Sequence, residues 1–108
     1  MTATNIAFLR ARPGRGPELA EALQRLVALS RDNPECFLAH LHRSEEDPSL
    51  WFLYENWSGH AALWTHLGAA SVQALVSDAG PLLHSDLGLR AFRLVAPVAD
   101  GHLACAAA

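Results

Sequence analysis

The stretch of residues 50–67, LWFLYENWSGHAALWTHL, changes its periodicity half-way along and constrains the fold more than any other part of the chain. Its first half alternates aromatic and polar residues, as a strand does, and its second half has the spacing of a short helix. The stretch holds all three Trp residues, the only Tyr and two of the six His. We expect this strand-to-helix corner to form a pocket for a flat aromatic ligand. The residues expected to line it are Tyr54, Asn56, Trp57 and His66.

The segments on either side of this stretch predict the order strand, helix, strand, strand, helix, strand. Pro13-Gly14 ends the first strand, and Gly68 interrupts the second helical segment. This βαββαβ order is the ferredoxin-like pattern, an α+β fold with one antiparallel sheet and its helices on one face. Strands are expected at residues 4–12, 36–44, 50–57 and 87–95, and the first helix from 16 to about 31.

The predicted strands carry large apolar side chains at both parities. Between Trp51 and Trp57 both alternating sets contain aromatic or leucine residues, and Phe8 and Leu9 repeat this in the first strand. A sheet with one face in water would alternate more cleanly between apolar and polar residues. The chain's own helices can cover one face. We therefore expect a second sheet to cover the other, in a two-fold homodimer.

Composition and charge exclude several kinds of partner. With 108 residues, 51% of them hydrophobic and 18% charged, the chain is expected to form one globular domain over residues 1–96, followed by a tail at 97–108. A net charge of -3 without a basic cluster argues against nucleic-acid binding. No apolar run approaches the ~20 residues of a membrane span, and the N-terminus has no signal-peptide pattern. A cytoplasmic protein without membrane contact is therefore expected.

Residue types also exclude some chemistry. All eight basic residues are Arg and there is no Lys. Schiff-base and pyridoxal-phosphate chemistry need a Lys amine, and a P-loop needs a Lys beside Ser or Thr, so both are excluded. His40 and His42 share a strand face, but no third ligand is evident unless His60 or Glu55 approaches them. No metal site is therefore predicted.

Short segments along the chain resemble the antibiotic biosynthesis monooxygenase domain. They extend from about residue 4 to residue 95 and follow the order and spacing of that family. The segments are ARPG at 11–14, EL at 18–19, SR at 30–31, LHRSEEDP at 41–48, YENW at 54–57, and Ala62, Leu63 and His66. The resemblance implies a dimeric α+β barrel, in which two ferredoxin-like sheets face each other.

The resemblance also implies a kind of reaction. Several members of that family oxygenate quinols or polyphenolic anthrones with O2 and without metal, flavin or haem, and related branches degrade haem or act on small signalling molecules. Trp57 and His66 stand at the family's Trp and His. The chain departs from the family at Leu53, where anthrone-oxidising members have an Asn, and at Glu35, where Gly is usual. Asn5 has the parity of a first-strand Asn that some members use.

The candidate catalytic residues are His66 and Trp57. An apolar setting would keep the imidazole of His66 neutral, so that it could accept a phenolic proton as a general base. Trp57 would stack on a flat ligand. The candidate substrate-binding residues are Tyr54, Asn56, Trp64 and His40. Tyr54 and Asn56 share a strand face and would donate hydrogen bonds to a ligand oxygen.

Each of these candidates also has an ordinary structural explanation. Trp57 could be a core residue, since aromatic side chains dominate protein cores. His66 could be a core histidine bonded to the backbone. Asn56 could cap the corner at Ser58, and Trp64 could serve packing alone.

The resemblance, together with these candidate residues, implies a monooxygenase without metal, flavin or other cofactor, which oxidises a phenolic, quinol or anthrone-type aromatic substrate with O2. The base removes a phenolic proton, the anion passes an electron to O2, and the two radicals recombine at a ring carbon. Two other functions stay open. One is a haem-binding or haem-degrading protein, with His66 or His60 as axial ligand and Trp57 against the porphyrin. The other is a non-catalytic dimer that binds a small aromatic molecule.

Overall fold

The computed structural model describes residues 2–84, 88–93 and 95 of the chain. Its elements are β1 (Ala3–Arg10), α1 (Gly16–Arg31), β2 (Cys36–Arg43), β3 (Leu50–Trp57), α2 (His60–Leu67), α3 (Ala70–Ala79), a 3-10 turn (Gly80–Leu82) and β4 (Gly88–Arg93). Within these residues one antiparallel sheet has the strand order β2-β3-β1-β4, and the helices pack on one of its faces. The predicted ferredoxin-like α+β fold is confirmed, with its second helix divided near Gly68.

The first helix, α1, begins and ends where the sequence predicts. Pro17 stands in its first turn, where a missing N–H costs no helical hydrogen bond. Its buried stripe consists of Leu19, Ala22, Leu23, Leu26, Val27 and Ser30. At the end of the helix, Nε and Nη2 of Arg31 donate to the carbonyl oxygen of Ala39 at 3.1 and 2.8 Å, which ties α1 to β2. Ser30, the residue before Arg31, is buried, and its hydroxyl reaches Glu55 of β3.

The alternation of the strands divides their side chains between two faces. On the face toward the helices, β1 contributes Ala3, Asn5, Ala7 and Leu9, and β3 contributes Leu53, Glu55 and Trp57, all of them buried. We call the opposite side the open face. It carries Phe8 from β1, which is 61% exposed, beside Phe52 of β3 at 4.9 Å between ring centroids. His42 and Tyr54 extend this row of rings, at 6.0 and 6.4 Å from Phe52.

The open face agrees with the prediction that both parities of the strands are apolar. The chain's helices do not cover it, and whether a second copy does so stays a prediction. The last strand was expected at residues 87–95 and is observed at Gly88–Arg93. The predicted tail at 97–108 lies outside the described residues. Among the residues that are described, no helix combines the length and apolar character needed to cross a bilayer.

Candidate functional site

The corner between β3 and α2 does not bring the four expected pocket residues together. Tyr54 and Asn56 point to the open face, whereas Trp57 points to the helices, where it meets His66. The prediction of one shared pocket is therefore wrong. The reason is the two-residue period of a strand, which puts 54 and 56 on one side of the sheet and 57 on the other.

Polar residues on the open face form hydrogen bonds with one another. Oγ1 of Thr4 donates to Oδ1 of Asn56 at 2.9 Å, and Nδ2 of Asn56 donates to Oη of Tyr54 at 3.3 Å. His40 pairs with Tyr54 across β2 and β3 and is exposed. Trp64 lies on α2 and is 59% exposed, so it faces solvent. The internal cavity described below is lined by none of the predicted site residues Tyr54, Asn56, His40 and Trp64.

Trp57 and His66 form the core of the helix-side site. The Trp57 side chain is completely buried and His66 is 8% exposed. Their ring centroids are 4.5 Å apart, with the planes inclined by 40°. Because the indole is packed against the imidazole, it fixes the position of the His66 ring and has no face free for a ligand.

The Glu55 carboxylate connects the polar groups of this site. It is 2% exposed and accepts hydrogen bonds on both oxygens. Nδ2 of Asn5 and Nε1 of Trp57 donate to Oε1, at 2.8 and 3.3 Å, and Oγ of Ser30 donates to Oε2. Oγ of Ser30 also lies 3.2 Å from Nε2 of His66. Residues from β1, α1, β3 and α2 thus make one buried network, which compensates for the cost of burying the charge.

A small cavity opens beside this network, between the sheet and the helices. Its volume is about 30 Å³. A buried water occupies at least ~10–15 Å³ on this measure, so the cavity has room for about two water-sized atoms. One end is polar, formed by Asn5, Ser30, Glu55 and His66. The remaining walls are apolar, formed by Ala7, Leu9, Leu23, Leu26, Leu53, Leu67, Val72 and Val76. In this conformation the cavity admits a diatomic molecule, and an aromatic ring enters only if the helices move apart.

Comparison with known proteins identifies the family. The family model described as antibiotic biosynthesis monooxygenase matches residues 2–78, well over half of the chain. The chain belongs to the antibiotic biosynthesis monooxygenase family. The expected membership is thereby confirmed, and it supports a monooxygenase function in general terms. No curated protein sequence matches this chain.

Solved structures share the fold of this family member. PA3566 from Pseudomonas aeruginosa is 28% identical, with a TM-score of 0.79 over 88% of this chain and 95% of that one. Rv0793 from Mycobacterium tuberculosis is 19% identical, with a TM-score of 0.84 over 92% of this chain and all of that one. A structure named antibiotic biosynthesis monooxygenase is 22% identical, with a TM-score of 0.79 over 87% of this chain and 99% of the other. The last two likenesses show the fold alone.

Two residues of the buried network of this monooxygenase-family chain were not among the predicted site residues. Glu55 was considered only as a remote metal ligand and as part of the YENW segment, and Ser30 only as part of a helix stripe and of the SR segment at 30–31. A signal was present for both, since each is a polar residue at a position that its element buries. Glu55 shares its parity with Leu53 and Trp57, and Ser30 follows Leu26 by one helical turn. Asn5, noted for its parity alone, lies in the network as a donor to Glu55.

The protonation of His66 follows from its surroundings. Burial lowers its pKa below the ordinary 6.5, and the Glu55 carboxylate opposes that shift. The imidazole is therefore neutral at pH 7, as the apolar setting led us to expect.

The lowered pKa of His66 predicts how stability depends on pH. Between the folded pKa and 6.5, the unfolded chain binds a proton at this residue and the folded chain does not. The free energy of unfolding should therefore fall as the pH drops below 6.5, with a slope of at most about 1.4 kcal/mol per pH unit. Urea denaturation across this range should show the decline, and a His66→Gln variant should lack it.

A second loss of stability should occur at lower pH. Hydrogen bonds from Ser49 and from Arg10 lower the pKa of the exposed Asp47 carboxyl from 3.8 to about 2. The contribution of this carboxyl to the free energy of unfolding is present above pH 3.8 and disappears toward pH 2. This range is well separated from that in which His66 acts. A His66→Gln variant that kept the whole decline below pH 6.5 would contradict the role assigned to His66.

Proposed function

We propose that this protein is a monooxygenase that needs neither metal nor flavin and oxidises a phenolic, quinol or anthrone-type aromatic substrate with O2. The supporting observation is the buried, neutral imidazole of His66 at the polar end of a largely apolar cavity. Such a group can take a proton from a phenolic oxygen in a site without bulk water. Family membership supports the general class of reaction, and the substrate class belongs to the proposal.

The proposed reaction divides the work between protein and substrate. His66 accepts the phenolic proton and leaves an electron-rich anion in the cavity. The anion gives one electron to O2, and the substrate radical and superoxide combine to form a carbon–oxygen bond. The resulting peroxide takes up a proton and then loses water, as its O–O bond and the C–H bond at the same carbon break. One oxygen atom stays in the product as a carbonyl. The protein contributes deprotonation, exclusion of water and placement, while the organic reactant supplies the electrons that a flavin would otherwise provide. Trp57 takes part by holding the His66 ring and not, as the sequence suggested, by stacking on the ligand.

Entry of the substrate requires the cavity to widen. The helix-side wall at α2 and α3 consists of Leu67, Val72 and Val76, with Gly68 at the break between the two helices. We propose that this segment moves away from α1 to admit the ring, since the sheet forms the opposite wall and is fixed by its ladders. Without this movement, the cavity has room beside His66 for a molecule of the size of O2.

Oxygen consumption tests the proposed function. Purified protein should sustain oxygen uptake, above the rate of autoxidation, with at least one member of a panel of hydroquinones, naphthoquinols and anthrones. Mass spectrometry of the product from ¹⁸O2 should show one labelled oxygen atom. Uptake no faster than autoxidation across the panel would favour the alternative of a non-catalytic dimer that binds a small aromatic molecule.

The geometry does not favour the haem alternative. Nε2 of His66 already contacts Oγ of Ser30, and the ring packs against Trp57. A cavity of about 30 Å³ is also far smaller than a porphyrin. His60, the other axial candidate, is exposed at the start of α2 and lies outside the lining of the cavity. These residues do not fit a haem.

We also propose that the protein is a homodimer in which two open faces meet. The open face presents the Phe8 and Phe52 rings together with half-buried Tyr54 and Asn56, and apolar rings of this kind are normally covered. Tyr54, Asn56 and His40 would then belong to the dimer interface, on the side of the sheet opposite the cavity. The occupant we infer is a second copy, because the same face on both partners closes a two-fold assembly.

A charge on the open face should separate the dimer. Phe8→Glu would bury a carboxylate between the sheets, so sedimentation velocity should show a monomer where the natural protein shows a dimer. Trp64→Glu is the matched control, because Trp64 is 59% exposed and Phe8 61%, and Trp64 lies on the helix side. We expect that variant to remain dimeric. A natural protein that is monomeric, or a dimeric Phe8→Glu variant, would refute this interface.

A further inference from the structure

The position of Ser30 determines which nitrogen of His66 is available as a base. A serine hydroxyl has a single proton to donate and can accept through its lone pairs. Oγ of Ser30 stands between Oε2 of Glu55 and Nε2 of His66, with the second contact at 3.2 Å. The serine can therefore donate to only one of these two neighbours, and the other must donate to it or leave it unbonded.

The surroundings of Glu55 decide the direction. Its other oxygen, Oε1, already receives N–H groups from Asn5 and Trp57. Both oxygens of Glu55 are thus acceptors in this network, and a carboxylate has no proton to donate to the serine. Ser30 must then donate to Glu55, so its lone pair faces His66. A neutral His66 can satisfy that lone pair only as the tautomer with its proton on Nε2, which leaves the lone pair on Nδ1.

We propose that Ser30 and Glu55 form a proton relay behind His66, and that Nδ1 of His66 is the atom that takes the proton from the substrate. This rests on the proposed function for the identity of the substrate, whereas the bonding pattern stands independently. As the O–H bond of the substrate breaks, its proton binds Nδ1. The Nε2 proton passes to Oγ of Ser30, and the serine proton passes to Oε2 of Glu55. One proton is moved, no electron changes owner, and the single negative charge shifts from Glu55 to the substrate oxygen.

The relay avoids a separation of charge in a dry site. If His66 kept both protons, an imidazolium and two anions would lie in the same small volume. Burial lowers the pKa of His66 and disfavours that imidazolium. Among the described residues, the charged group that acts on the pKa of His66 is Glu55 from β3. Cys36 at the start of β2, whose thiol pKa is raised by burial, and Arg31 at the end of α1 lie on the Glu55 side of the network. From α3 only Val72 and Val76 line the cavity, so this helix supplies no charged group there.

The tautomer of His66 tests the relay without any substrate. Long-range ¹H–¹⁵N correlation spectra at pH 7 should show a protonated Nε2 and an unprotonated Nδ1 for His66. Ser30→Ala should remove that preference, and Ser30→Thr, which keeps the hydroxyl, should restore it. His60 lies on the same helix and is exposed, so its signals should be unchanged in all variants and serve as the internal control. A proton on Nδ1 of His66 in the natural protein would overturn the proposal.

Turnover gives the second measurement. With a substrate identified by oxygen uptake, Ser30→Ala and Glu55→Gln should each lower kcat by about tenfold or more with little change in KM, because they impair proton removal and not binding. Ser30→Thr should stay within about threefold of the natural protein. A Ser30→Ala variant that lost the tautomer preference but kept its full kcat would also overturn the relay. If no substrate turned over, the proposed function would fail, while the spectra would still decide the bonding.

Discussion

Replacing His66 with alanine is expected to lower kcat for an accepted quinol by about 10²–10⁴, the usual contribution of a general base. KM should change much less, because the imidazole acts on the proton and not on the binding of the ring. The clearest measurement is anaerobic, since without O2 the reaction should stop at the substrate anion. Mixing the natural protein with the quinol should then produce the absorbance of the deprotonated form, and His66→Ala should not produce it.

Two controls separate chemistry from damage to the fold. His66 is 8% exposed and packs on Trp57, so the alanine variant also leaves a void beside the indole. His66→Gln fills more of this volume and has no basic nitrogen, so it should be more stable than the alanine variant and equally inactive. His60→Ala, at an exposed position of the same helix, should keep its activity. An anion absorbance that survives in His66→Ala would exclude His66 as the base.

Local signals predicted the fold. The Pro13-Gly14 turn, the stripe of α1 and the alternation of β3 each act over a few residues, and their order alone indicates a ferredoxin-like arrangement. β3 was expected at residues 50–57 and is observed at Leu50–Trp57. The break at Gly68 was likewise expected, and the helices end and restart there. Such elements can be predicted from the sequence because neighbouring residues determine them.

The site was only partly predictable, for two different reasons. The shared pocket failed although the strand period already separated Asn56 from Trp57, because a corner was assumed to override that alternation. The spacing of neighbouring residues marks Ser30 and Glu55 as buried polar residues, but it does not show which partners Glu55 bonds. Its partners Asn5 and Ser30 lie 50 and 25 positions away in the chain. Only the packing of β1 and α1 against β3 brings them together, and a charged residue in a strand is ordinarily expected to face solvent.

Glu55→Ala should be the most damaging single substitution for stability, costing about 3–5 kcal/mol of unfolding free energy. It removes the shared acceptor, so donors from Asn5, Ser30 and Trp57 would be buried without a partner, and it also leaves a void. A loss of this size is a large fraction of the roughly 5–15 kcal/mol typical of a whole domain.

Glu55→Gln isolates the contribution of the charge in that loss. Its amide oxygen can still accept from Asn5 and Trp57, and its NH2 group can donate to Oγ of Ser30. The Ser30 hydroxyl then donates to Nε2 of His66, in the tautomer with its proton on Nδ1. We expect a cost of about 1 kcal/mol, several times smaller than that of alanine. Urea denaturation with an unchanged m-value measures both differences. Equal losses in the two variants would mean that the negative charge, and not the set of hydrogen bonds, holds β1, α1 and β3 together at this point. Because Glu55→Gln keeps the hydrogen bonds but cannot receive the relayed proton, a stable variant with a low kcat would separate the structural role of Glu55 from its role in proton transfer.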